Sequence, residues 1–106
     1  MPLRYAGIDL AWGERARTGV AVIAEDGRLS RSGSVRTDDE ISAVLGHAAG
    51  EPGLVVAIDA PLIVPNEAGQ RPCERLVGQA FGRYHAGAYP ANRGMAAFNP
   101  EPRGAR

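Results

Sequence analysis

Two separate stretches of the chain each run an apolar segment into an isoleucine–aspartate pair, YAGIDLAWG at residues 5–13 and LVVAIDAP at residues 54–61. In the first, Ala6, Ile8 and Leu10 fall on one side of a period-two pattern and Tyr5, Gly7 and Asp9 on the other. That alternation reads as a strand, with Gly13 marking its exit. In the second, the apolar run leads through Ile58 to Asp59, and Pro61 stops the strand because proline has no N–H to give to a ladder. An acid at the mouth of a buried strand costs free energy unless it is paired, capped or bound to a cation. This requirement, met twice, narrows the folds open to the chain more than any other feature.

The intervening sequence predicts the rest of a sheet. Residues 19–24 (GVAVIA) form a second apolar strand, Asp26-Gly27 is a strong hairpin signal, and the serine-rich stretch 28–36 suits an edge strand with one solvated face. Thr37 and Glu40 have capping-box spacing. They open a helix with Ile41, Val44, Leu45 and Ala48 on one stripe, closed by Gly50, Pro52 and Gly53. Beyond Asp59 comes a proline-bounded loop, then a second helix entered through Pro72 and stopped at Gly82. Its apolar stripe is Cys73, Leu76, Val77, Ala80 and Phe81, while Glu74, Arg75 and Gln79 face away. Residues 1–94 make up the expected domain. Residues 95–106, proline-rich and aperiodic, are expected to be a disordered tail.

A chain of 106 residues suffices for one domain, which would bury about two thirds of its unfolded surface. Its 12 acids balance its 12 bases, all of them arginine, so no net field points to nucleic acid. A single cysteine, Cys73, excludes an internal disulfide and suits a reducing compartment. No run approaches the roughly 18 apolar residues of a membrane span, and no basic-then-apolar leader opens the chain. No membrane association and a cytoplasmic location are expected.

The order strand, strand, strand, helix, strand, helix is that of the ribonuclease H fold: α/β, a mixed sheet in order 3-2-1-4 with strands one and four parallel neighbours. The fifth strand of that fold is missing, so the domain reads as truncated. Adjacent strands lie about 4.8 Å apart, which brings acids at matching strand ends to one spot. At roughly 5 Å and an effective dielectric near 20, the two charges repel by about 3 kcal/mol. A divalent cation removes that penalty, so Asp9 and Asp59 are the candidate ligands for Mg2+ or Mn2+, which would activate water for attack on a phosphodiester. Each aspartate also has a plainer reading as a turn cap.

Other residues carry weaker signals. Glu74 gains from the dipole of the second helix without any catalytic role. Arg71, Arg75, Arg83 and Arg93 are either phosphate clamps or solvated charge. His85, beside Tyr84 in a loop, is a candidate proton shuttle, and His47 is a structural histidine late in the first helix. Cys73 reads as a packed thiol. No histidine or cysteine spacing suggests zinc. Trp12 and Tyr89 either stack on a ring or pack locally.

GIDLAWG with TGVAVI, then AIDAPLIVPN, GQRPCERL and FGRYHAGAYPANRG, resemble domain-of-unknown-function family 429, whose members are predicted nucleases of the ribonuclease H-like superfamily. GID followed by TGVAVI is also similar to the opening of Holliday-junction resolvases. The resemblance implies that Asp9 and Asp59 bind metal, with Glu74 as a further acid and Arg71 near the site. A metal-dependent nuclease, a hydrolase of phosphodiesters, is the expectation. In it Arg71 or Arg93 steadies the phosphate of a nucleic acid or phosphate-ester substrate. Members of the family are longer, and loss of the fifth strand they possess would leave the Asp59 strand here as an exposed edge that invites a homodimer. Two alternatives stand beside the nuclease. One is a nucleotide-binding domain of the actin and sugar-kinase type, whose phosphate loop Trp12 would obstruct. The other is a non-catalytic remnant or interaction module.

Overall fold

The computed structural model describes residues 3–46 and 53–106, and the chain divides into two compact units, Met1–Ala60 and Pro61–Arg106. The first unit holds β1 (Arg4–Asp9), β2 (Thr18–Ile23), β3 (Leu29–Val35), the helix α1 (Asp38–Leu45) and β4 (Leu54–Asp59). Its strands form one sheet in the order β3-β2-β1-β4. The β1–β2 and β2–β3 pairs are antiparallel and β1–β4 is parallel. This is the mixed α/β sheet, in the 3-2-1-4 order, that the sequence pattern predicts.

Register follows from the side-chain period of two, because residues directly opposite share a face of the sheet. Ala6 pairs with Val22 and Ile8 with Val20, and all four are buried. The opposite face carries Gly7, Asp9, Gly19 and Ala21 from β1 and β2, continued by Ala57 and Asp59 of β4. The hairpin signal is realised: Gly27 sits at φ 84°, its N–H donates to the Ala24 carbonyl, and the Asp26 carboxylate accepts the Arg28 N–H at 3.0 Å. Strand β3 is exposed along nearly its whole length. At the other edge, β4 leaves Val55 and Ile58 about half exposed, at 50% and 49%.

Helix α1 departs from expectation at both ends. Thr37 Oγ1 accepts the Glu40 N–H at 3.1 Å and donates to Glu40 Oε1 at 3.3 Å. The cap therefore closes side chain to side chain, where a full box would send Glu40 to the Thr37 backbone. The helix ends at Gly46, ahead of the expected Gly50, because Gly46 takes φ 66°, a conformation that costs glycine nothing. Ala48 and His47 lie outside the described residues.

In the second unit, α2 (Pro72–Phe81) is followed by short 3-10 turns at Gly82–Tyr84, Ala96–Phe98 and Arg103–Ala105. Two expectations are corrected there. Residues 95–106, expected to be disordered, contain two of those turns, and Phe98 and Arg103 are among the most buried residues of the unit. Burial of one aromatic ring anchors a segment whose composition alone gives no periodic signal. The second correction concerns α2: Glu74 is its one buried residue, whereas Leu76 and Phe81 are exposed and so is Cys73. The helix is held by a polar anchor, and its apolar stripe is not what packs.

Candidate functional site

The β1–β4 ladder sets Asp9 directly opposite Asp59, so the two carboxylates leave the same face at the same end of neighbouring strands, about 4.8 Å apart by strand spacing. The backbone just past Asp9 is fixed from both flanks. Leu10 N–H donates to the Asp59 carbonyl at 3.2 Å, and Ala11 N–H donates to Thr18 Oγ1 at 3.0 Å. Thr18 is wholly buried. Across the sheet, Gly19 faces Asp9, and a methyl group there would stand 3.6 Å from the Asp9 Cβ. The small residues Gly7, Gly19, Ala21 and Ala57 floor an open groove of about 760 Å³ that includes both acids.

Both aspartates are exposed, so water screens their repulsion and lowers its cost. Among the described residues neither carboxylate has an ion pair or a side-chain hydrogen bond. Two adjacent unpaired carboxylates at a wet rim suit a hard divalent cation, which takes oxygen ligands and keeps several waters. Among the described residues no group of three or more His, Cys, Asp or Glu side chains is placed to hold a metal ion together.

The same rim continues across the sheet. Asp59, Asp9, Gly19 and Ser34 are successive partners in register, one from each strand. Next to this row lies Arg17, whose Nε donates to Ser34 Oγ at 2.6 Å and whose Nη2 donates to the Ser34 carbonyl at 3.0 Å. Sequence reasoning missed Arg17. Its position just before a strand is no signal, and only the pairing of β2 with β3 brings it to the rim.

The remaining candidates lie in the second unit. Glu74 is 4% exposed. Its Oε2 accepts the N–H of Arg71 at 2.7 Å and of Ala91 at 3.2 Å, and its Oε1 accepts Arg71 Nε at 2.7 Å. Burial pushes this carboxyl up, but the hydrogen bonds from Arg71 and Ala91, together with the Arg71 charge, outweigh it and hold the pKa below the usual 4.5. Arg71 is committed as well, with Nη1 on the Ile63 carbonyl at 2.9 Å. Arg93 pairs with Glu67 at 3.3 Å and is partly exposed. His85 is exposed and takes φ 58°, closing the turn after α2 with its N–H on the Gly82 carbonyl. Histidine is among the residues that tolerate this left-handed region best. The structure thus brings Asp9 to Asp59 and Arg71 to Glu74.

A mixed α/β sheet with two unpaired acids at the rim of its open face defines the class. The chain belongs to the family described as Protein of unknown function (DUF429), which matches residues 7–105. That span includes the stretch beyond residue 94. No curated protein and no solved structure matches the chain. None of the helices among the described residues is long and apolar enough to cross a membrane.

Proposed function

We propose that this protein is a metal-dependent hydrolase of phosphodiesters, of the ribonuclease H-like nuclease type, with Asp9 and Asp59 holding Mg2+ or Mn2+. The observation that carries the reading is the register of β1 on β4, which sets two exposed, unpaired carboxylates side by side. A divalent ion, when bound there, supplies Lewis acidity and an activated water. The chain's own residues do the positioning: the Leu10 and Ala11 amides tie down the backbone after Asp9, and Gly19 keeps the space beside it clear. Of the arginines read as phosphate clamps, Arg71 is spent on Glu74 and the Ile63 carbonyl. Arg93 pairs with a largely exposed Glu67. The unpaired outer edge of β4 is where a strand from a second copy would add, and a monomer by sedimentation at high concentration removes that partner.

The test is a Mn2+ titration of the whole chain by calorimetry, beside hydrolysis of bis(p-nitrophenyl) phosphate. Wild type is expected to bind and to turn over. Asp9→Asn and Asp59→Asn are expected to lose both while keeping the fold. Turnover unchanged in either variant, or no binding by the wild type, ends the proposal.

A further inference from the structure

The cross-strand row that contains the acids has a cationic end. Ser34 lies two strands from Asp9 in the same register, which places it about 10 Å away, with only Gly19 between. Arg17 is fixed to that serine by two hydrogen bonds, one to the side chain and one to the main chain. No carboxylate pairs with it among the described residues. Nη1 and one hydrogen of Nη2 have no hydrogen bond there either, so the guanidinium is oriented by a neutral group and its charge is left for something else. A guanidinium fork held in this way suits a phosphate oxygen, and its orientation is settled before the ligand arrives.

The distance selects the ligand. A monoester, or a diester with one phosphate, placed at the acids ends short of Arg17. A polynucleotide strand does not, since it carries a phosphate for about every 3.4 Å of helix axis. The open, small-residue floor of the groove leaves its backbone room to pass over Gly19. We infer that Arg17 binds a phosphate of a nucleic-acid strand one or more nucleotides away from the one at Asp9 and Asp59, a subsite that a polynucleotide engages and a small phosphate ester does not reach. The inference rests on the reading of the two aspartates given above.

The experiment compares wild type, Arg17→Gln, Arg17→Lys and Arg31→Gln in the full chain. Arg31 lies on β3 with Ser34, but opposite Val22 and therefore on the other face of the sheet, so it controls for loss of charge alone. Two substrates are used with Mn2+, bis(p-nitrophenyl) phosphate and a fluorescein-labelled single-stranded oligonucleotide, whose binding is also followed by anisotropy across a salt series. The expectation is that Arg17→Gln weakens oligonucleotide binding by roughly five- to tenfold and lowers the salt slope by about 0.7. Turnover of the small diester should not change. Arg17→Lys should keep the slope and lose part of the affinity, and Arg31→Gln should match wild type.

Equal losses for Arg17→Gln and Arg31→Gln overturn the inference, as does an Arg17→Gln protein that binds and cuts the oligonucleotide like wild type. In both cases turnover of the small diester by wild type leaves the metal-site reading standing. Absence of that turnover, and of Mn2+ binding, fells both together.

Discussion

Asp9 and Asp59 stand at the ends of two strands with water at their oxygens and no ion pair among the described residues. Glu74, in the segment beyond residue 60, is 4% exposed and has both oxygens taken by Arg71 and Ala91. The contrast extends to how each region is held. In the first, β1 is paired on both sides by β2 and β4, so the Asp9 side chain is released from structural duty. In the second, little regular structure exists and side chains do the ladder's work. Asn66 Nδ2 reaches the Ala68 and Ala91 carbonyls, Asn92 Nδ2 reaches that of Gly69, and Glu74 gathers two backbone amides. A carboxylate that serves as a structural cross-link is a poor candidate for chemistry, and one left idle by a saturated backbone is a good one.

The largest expected effect tests the structural side of this contrast. Glu74→Ala removes the acceptor for two backbone amides and strands the Arg71 guanidinium, so it should destabilise the segment by about 3 kcal/mol. Denaturant unfolding and amide exchange at Ala91 measure this. An unchanged exchange rate would dissolve the distinction between the two regions. The same carboxylate sets an acid limit. Its pKa is lower in the folded chain than in the unfolded one, so the unfolded chain takes up the proton more readily. The stabilisation is complete above the ordinary carboxyl value near 4.5 and drains away as pH falls through the folded value. Glu74→Gln should flatten this acid dependence in a pH series of melting curves.

On the other side, Mg2+ or Mn2+ at about 100 times its Kd should stabilise the wild type by about 2.7 kcal/mol. Asp9→Asn should abolish that gain and, without metal, be neutral or slightly stabilising, because it relieves repulsion. A thermal-shift series reads both. Thr18→Val, nearly isosteric, removes the acceptor of the Ala11 N–H and should cost about 1–2 kcal/mol. Faster amide exchange at Ala11 would report it, and Thr18→Ser should restore protection. The smallest contrast concerns space. A Cβ at Gly94 meets Asn92 Oδ1 and the Glu67 carbonyl at 3.1 Å, whereas one at Gly19 meets only the Asp9 Cβ at 3.6 Å. Gly94→Ala should therefore cost about 1 kcal/mol and Gly19→Ala less than about 0.5 kcal/mol.

The sheet was legible because its signals are local. Alternation in residues 5–9, the Asp26-Gly27 turn and the Thr37 cap each act within a few positions, and the element order, matched to the ribonuclease H fold, placed strands one and four side by side. Glu74 was misjudged because helical periodicity says which residues share a side and not which side packs. Its decisive partner, Ala91, lies 17 residues further on. The stretch after residue 94 escaped for a similar reason, since the burial of Phe98 depends on contacts that no composition rule can see. Arg17 was overlooked because its anchor, Ser34, is also 17 residues away and belongs to another strand.

A parallel pair such as β1 and β4 cannot be closed by a tight turn and needs a long crossover, here supplied by β2, β3 and α1. Nearly half the chain therefore separates the two aspartates. A polypeptide emerging from the ribosome carries the first acid long before the second exists. Until the last strand docks, no fragment can imitate the completed rim, so a cation bound there would certify that assembly has finished.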